Sequence, residues 1–286
     1  MSGYLDAAIY VLLTSVAFVF LDHLIVGLNP VVALFAMSAI ALIVFNSLNI
    51  SNLKKTYLAC WHNKTIYLMM SAALAVDWVT MVFASHIADP FIAMAALFSA
   101  LALFGFGKIY LIARNKAVLF SLFLLLLGLG ILLFAYQVKT GHSIIGGVIL
   151  GSIAGLAFYV YIANSSKLAS LAHLSSLQVL ATRFWLLFFG AVIFVPKHNL
   201  LFLLKQNLLS LVIISLGSLI IPIYYNQQAI KKLGSELTSV FISLVPPVTY
   251  GFYAIYNRQI IMVNVVVCIL ITLALIIPNL VKVIRR

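Results

Sequence analysis

Residues 117–137 read AVLFSLFLLLLGLGILLFAYQ, without one charged side chain. In helical form about 20 apolar residues cross the ~30 Å hydrocarbon core of a bilayer. The same kind of run recurs on both sides of this one. Apolar helices are expected at 4–28, 30–48, 65–87, 90–112, 117–137, 144–165, 174–196, 207–230, 237–256 and 260–281. The expected fold class is therefore an all-α membrane protein with ten transmembrane helices. Breakers separate the runs: Asn29-Pro30, Asp89-Pro90, Lys139-Thr140-Gly141-His142 and Pro196-Lys197-His198-Asn199. Proline lacks an N–H and biases its predecessor away from the helix.

Composition points the same way. Of 286 residues, 65% are hydrophobic and 8% charged, and the mean hydropathy is +1.22. Water-soluble cores cannot hide that much apolar surface, and the linkers are too short to fold alone. The net charge of +12 would suggest nucleic acid in a soluble protein. Here the basic residues lie in short loops, which is the pattern of membrane orientation and not of a nucleic-acid partner. With the N-terminus cytoplasmic, Lys54, Lys55, Lys64, Lys108, Arg114, Lys116, Lys167, Lys231, Lys232, Lys282, Arg285 and Arg286 fall inside. Lys139, Lys197, Lys205 and Arg258 fall outside. Both termini are then cytoplasmic, which requires an even number of helices. The first run is too long for a cleavable signal peptide and is expected to be retained. Cys60, in an expected loop, and Cys268, in an expected helix, do not form a disulfide framework.

The runs divide into two sets of five, at residues 1–137 and 138–286. Residues 11–20 (VLLTSVAFVF) match residues 148–157 (VILGSIAGLA), with Ser15 opposite Ser152 and Ala17 opposite Ala154. Ala84 near the end of the third run matches Ala229 near the end of the eighth. Five is odd, so the second set enters the membrane upside down relative to the first. That is an inverted repeat, an arrangement typical of transporters.

With this pattern the chain resembles the drug/metabolite transporter superfamily, in its EamA-like ten-helix form. That family carries, in each half, a helix that starts near a proline with an arginine seven positions later. Pro30 begins such a segment, with Met37 at the arginine position; Ser176–Thr182 leads to Arg183 without the proline. The family's alanine, basic turn and central proline are matched by Ala229, Lys231, Lys232 and Pro246-Pro247. The first half has the looser Ala84-Ser-His-Ile-Ala-Asp-Pro. Gly107-Lys108 and Asn257-Arg258 stand where a glutamate is often found. The resemblance implies a transporter with a central cavity between its halves, and a bacterial inner (plasma) membrane location.

Ionisable groups within hydrocarbon are costly, so each is a candidate for function. Asp77, mid-run, suits a proton-coupling or cation-binding carboxylate, or a static pair with Arg183. Arg183 cannot lose its proton and needs an anion or carbonyl partner. It could hold a substrate carboxylate or phosphate, or neutralise Asp77. Asp22 and His23 could line the external mouth or form a solvated helix end. Trp78, Tyr225 and Tyr250 are candidate cavity aromatics, and packing is the alternative for each. Asn226, Gln227 and Gln228 either line a vestibule or bond across helices. Pro222 and Pro246-Pro247 are candidate hinges, or static bends. Glu236 reads as a helix-start acid.

Walker-type, HExxH and GxSxG signatures are missing from the sequence, so no enzyme is expected, and neither a cofactor nor a metal is implied. The expected function is a secondary transporter that moves a small organic metabolite, an amino acid, amine or related compound, by alternating access. Protons would be the coupling ion and lipids the surrounding partners. The alternatives are a lipid or lipid-linked sugar translocase and a non-transporting membrane scaffold.

Overall fold

The computed structural model describes residues 2–25, 29–88, 90–136, 144–198, 200–258 and 260–284. Among them there is no strand. The first helices are α1 (Gly3–Ile25), α2 (Pro30–Leu48), α3 (Leu53–His62), α4 (Lys64–Ile87), α5 (Pro90–Ala113) and α6 (Lys116–Tyr136). They are followed by α7 (Ile144–Leu171), α8 (Ser176–Thr182), α9 (Trp185–Phe194), α10 (Leu200–Gln206) and α11 (Leu208–Ile214). The chain closes with α12 (Ile221–Leu233), α13 (Ser235–Ile242), α14 (Val245–Asn257) and α15 (Met262–Ile284).

Eight helical stretches among the described residues are long and apolar enough to span a bilayer. They are Pro30–Leu48, Lys64–Ile87, Phe91–Ile112, Lys116–Phe134, Ile144–Leu171, Ser176–Phe194, Leu208–Leu233 and Leu237–Tyr256. Two shorter apolar stretches, Gly3–Ala17 and Met262–Pro278, stand at the two ends of the chain. Leu111, Ile112, Phe134 and Phe194 are each more than three-quarters exposed. Large apolar side chains facing outward on many helices suit a hydrocarbon solvent, because water would penalise the whole surface. The chain is an all-α multipass membrane protein.

Local rules place most helix starts. Pro30 occupies the first turn of α2, where its missing N–H costs nothing, and Asn29 caps it by accepting from Val31 N at 2.9 Å. A capping box starts α8: Ser175 accepts from Gln178 N at 3.3 Å while Gln178 Oε1 accepts from Ser175 N at 2.7 Å. Cys60 does not lie in a loop, as its polar surroundings suggest, but on α3. This helix is amphipathic. It buries Thr56 and Cys60 and leaves Lys54, Lys55, Leu58 and Trp61 exposed. The run expected at 174–196 forms one membrane-length stretch, Ser176–Phe194, interrupted by a two-residue turn at Arg183-Phe184.

Helix α7 is the central post, lying along both α4 and α5. Its Gly147, Gly151 and Gly155 recur every four residues and so share one face. A Cβ at Gly155 would stand 2.1 Å from the Leu97 carbonyl oxygen, and one at Gly151 would stand 2.6 Å from that of Ala93. A Cβ at Gly147 would meet the Ala88 Cβ at 2.3 Å. Small residues let helix backbones approach closely, which supplies the van der Waals contact that hydrocarbon cannot. One core joins α1, α2, α4, α5, α7, α8, α9 and α12, and a second joins α5, α6, α7 and α15.

Candidate functional site: a buried arginine network

Three interruptions fall inside the membrane-length stretches Ser176–Phe194, Leu208–Leu233 and Leu237–Tyr256. The break at Ser243-Leu244 precedes Pro246 and Pro247, whose missing N–H groups leave the carbonyls one turn earlier without helical partners. Ser215–Ile220 forms a π turn just ahead of Pro222. There the Ile221 N–H donates to the Leu216 carbonyl, the five-residue spacing of a π turn. All three candidate hinge prolines thus sit at helix interruptions. The third break, at Arg183-Phe184, has neither proline nor glycine.

Partners from other helices explain that break. When α8 stops at Thr182, its last carbonyls lose their helical donors. Asn46 Nδ2, from α2, donates to the Ala181 carbonyl at 3.0 Å. The Tyr57 hydroxyl of α3 sits 3.1 Å from the same oxygen and 2.8 Å from Asn46 Oδ1. Trp185 Nε1, the first residue of α9, donates to that hydroxyl at 2.7 Å. From α4, Tyr67 donates to the Thr182 carbonyl at 3.1 Å. Thr182 Oγ1 returns to the Val179 carbonyl at 3.0 Å. Tyr57 and Cys60 are held in a partly dry pocket, and burial pushes the phenol and the thiol of both above their ordinary values.

The break delivers Arg183 into the core with no solvent exposure at all. Its guanidinium lies 4.6 Å from the Phe184 ring centroid and 5.1 Å from that of Tyr161. Phe184 stacks in parallel on Phe45 with centroids 6.1 Å apart. Tyr161 stacks on Phe158 at 5.9 Å. An aromatic column therefore runs from α2 through the cation to α7, and each ring face stabilises the charge.

At its edge, Arg183 Nη1 donates to the Tyr161 hydroxyl. A guanidinium can only donate, so the Tyr161 proton must point onward. It reaches Gln227 Oε1 on α12 at 2.9 Å. Ser165 Oγ donates to the same oxygen at 2.8 Å. This fixes the Gln227 amide: its oxygen faces α7 and its nitrogen faces away. Arg183 Nε and Nη2 and Gln227 Nε2 have no hydrogen-bond partner among the described residues.

Asp77, on α4, is buried. It interacts electrostatically with both Arg183 and Tyr10 of α1. Asp77 and Arg183 are neighbours without being a contact ion pair; among the described residues, Lys232 Nζ pairs with Asp6 at 2.6 Å. The site thus gathers Tyr10, Asp77, Tyr161, Arg183 and Gln227 from α1, α4, α7, the α8–α9 turn and α12.

Other candidates lie elsewhere. Trp78 and Tyr225 are partly buried and pack on the main core. Tyr225 meets Tyr224 edge-on at 5.6 Å. The Tyr250 hydroxyl accepts from Ile261 N at 2.6 Å and donates to the Ile261 carbonyl at 3.0 Å. That phenol pins the turn between α14 and α15 and is committed to backbone. Asn226 is buried with neither side-chain atom bonded by protein, and Gln228 bonds Tyr224 within its own helix at 3.1 Å. The side chains of Asp22, His23 and Glu236 lie outside the described residues. Tyr10 and Tyr161 are members that sequence reasoning missed. Their one signal is a phenol in the middle of an apolar run, where its polar tip needs a partner.

No family model matches the chain, and no curated protein matches it. Among solved structures, 25 chains match. One, described only as "Crystal structure of protein", covers 99% of this chain and 99% of its own, with a TM-score of 0.65 and 16% identity. At that identity the likeness is one of fold alone.

Proposed function

We propose that the chain is a secondary transporter that moves a small organic metabolite, an amino acid, amine or related compound, by alternating access. Ten membrane helices form two inverted five-helix repeats, residues 1–137 and 138–286, with the site between them. Protons entering through Asp77 couple the cycle, and the protein works in a bacterial inner membrane with both termini cytoplasmic.

One observation carries this reading: Arg183, Asp77, Tyr10, Tyr161 and Gln227 converge in a buried cluster drawn from α1, α4, α7, the α8–α9 turn and α12. Burying an arginine and a carboxyl away from a contact ion pair is expensive, and a scaffold would be better served by apolar packing. Polar groups inside the membrane that face one another mark solute or ion pathways. The lipid-translocase alternative draws less support. A shallow groove of about 250 Å³ lies between α14 and α15, lined by Tyr250, Val265, Cys268, Ile269, Thr272 and Leu273. None of these side chains is charged, and none belongs to the arginine network.

The test is exchange. Purified protein is reconstituted in liposomes loaded with amino acids, amines, sugars or nucleotides, and entry of the labelled counterpart is followed. Exchange of one class above protein-free liposomes is expected. A full panel with no exchange overturns the carrier reading.

A further inference from the structure

The geometry points to a monocarboxylate as the ligand of this network, gripped by the Nε and Nη2 edge of Arg183. The inference rests on the carrier reading, and it can fail while that reading stands.

Guanidinium groups present two forks. Nη1 points to one side, and here the Tyr161 hydroxyl engages it. Nε and Nη2 project together from the opposite edge, with parallel N–H bonds that match the two oxygens of a carboxylate. Those are the two Arg183 nitrogens that no described residue bonds, on a side chain with no exposure. The fork cannot swing away to find another partner. Tyr161 holds the far edge, and Phe184 and Tyr161 lie against the guanidinium at 4.6 and 5.1 Å.

Charge selects the class of anion. The network holds one cation, Arg183, and one carboxyl, Asp77. A phosphate dianion would face Asp77 with a single cation to balance it. A monocarboxylate brings one negative charge to the fork instead of two. The nearby carboxyl Asp77 further favours carboxylates that carry an ammonium group, so amino acids are the first set to try.

The experiment follows thermal unfolding of the purified full chain in detergent. Probes are the proteinogenic L-amino acids, simple monocarboxylates (acetate, propionate, benzoate), inorganic phosphate, and the carboxamide of each stabilising acid. At least one carboxylate is expected to raise the melting temperature, and its carboxamide to leave it unchanged. Arg183→Lys keeps the charge but loses the fork, and should weaken apparent affinity at least tenfold. Equal stabilisation by acid and carboxamide overturns the proposal, as does a preference for phosphate or no response to any carboxylate. Should Arg183→Lys not fold, the acid–carboxamide comparison on the native chain still decides. Liposome exchange of solutes that lack a carboxyl would refute this inference and leave the carrier reading standing.

Discussion

Replacing Tyr161 with Phe removes one oxygen and keeps the ring that stacks on Phe158 and lies 5.1 Å from the Arg183 guanidinium. Two hydrogen bonds go. The first is accepted from Arg183 Nη1, and bonds to charged groups contribute about 1.5–3 kcal/mol. The second, donated to Gln227 Oε1, joins neutral groups between two membrane helices, where such bonds average about 0.6 kcal/mol. Gln227 is partly protected, because Ser165 still donates to it at 2.8 Å. Arg183 is not: with Nη1 released, none of its nitrogens has a partner in the protein. The expected loss is about 2–3 kcal/mol, nearly all from the arginine side. Ser165→Ala, which leaves Tyr161 on Gln227, should cost only about 0.6 kcal/mol. Reversible unfolding in mixed micelles, titrated with a denaturing detergent, measures both. A Tyr161→Phe protein within about 0.5 kcal/mol of the parent, or a Ser165→Ala protein as damaged as it, would refute the assigned direction of the chain from arginine to tyrosine to glutamine.

Four further outcomes are expected. Asp77→Asn should abolish uphill accumulation in liposomes with a pH gradient while the protein folds and still exchanges solute; undiminished accumulation would remove Asp77 from coupling. Gly155→Ala should destabilise by about 1–3 kcal/mol, since its Cβ would lie 2.1 Å from the Leu97 carbonyl; Gly190→Ala, with nothing within 4 Å, should be neutral in the same unfolding assay. Cys60 is buried and its thiol is pushed up by that burial, so less thiolate forms at a given pH; maleimide labelling at pH 8 should be slow until the protein is unfolded, and labelling at the rate of a free thiol would contradict the packing of α3. Lys232→Ala should leave the Asp6 carboxylate without its 2.6 Å partner and lower stability by about 1 kcal/mol, the discount reflecting the half-exposed lysine; a melting temperature unchanged from the parent would show the pair to be inert.

Much of the architecture could be read from local chemistry, and the arginine site could be read only in part. Pro30 marks the start of α2, and Pro222 and Pro246-Pro247 mark interruptions, because a missing N–H acts within one turn wherever the helix sits. Arg183 and Asp77 stand out as charges in apolar runs. The break at Arg183 leaves no such mark. Ala181, Thr182 and Phe184 tolerate helix, and the turn exists because Asn46, Tyr57 and Tyr67 take carbonyls that the helix would otherwise keep. Those residues are over 100 positions away in sequence. Helix α3 was hidden for a different reason. Its ten residues mix lysines with apolar groups, and only the packing of Thr56 and Cys60 turns that mixture into a face. The Tyr161 hydroxyl, likewise, gains its role from Gln227 on another helix.

The position of these bonds constrains how a carrier built this way could move. The α8–α9 turn belongs by sequence to the second half, yet its freed carbonyls are bonded by α2, α3 and α4 of the first. Leaving the Ala181 and Thr182 carbonyls unpaired would cost about 1–3 kcal/mol each. Rocking the halves apart as sequence units would incur that cost in every cycle. Motion at lower cost keeps the turn, and so Arg183, with α2–α4 and Asp77. On the other side of the arginine one phenol, Tyr161, and one amide, Gln227, join it to α7 and α12; α7 lies along α4 and stays with it, so the sliding surface falls against α12. Helix α12 begins directly after the π turn and Pro222, the segment where a change of helical register needs the fewest bonds remade. An incoming carboxylate on the free fork of Arg183 would bind the same guanidinium whose Nη1 is joined to that surface. Ligand binding and the choice between the two arrangements would then depend on one donor set.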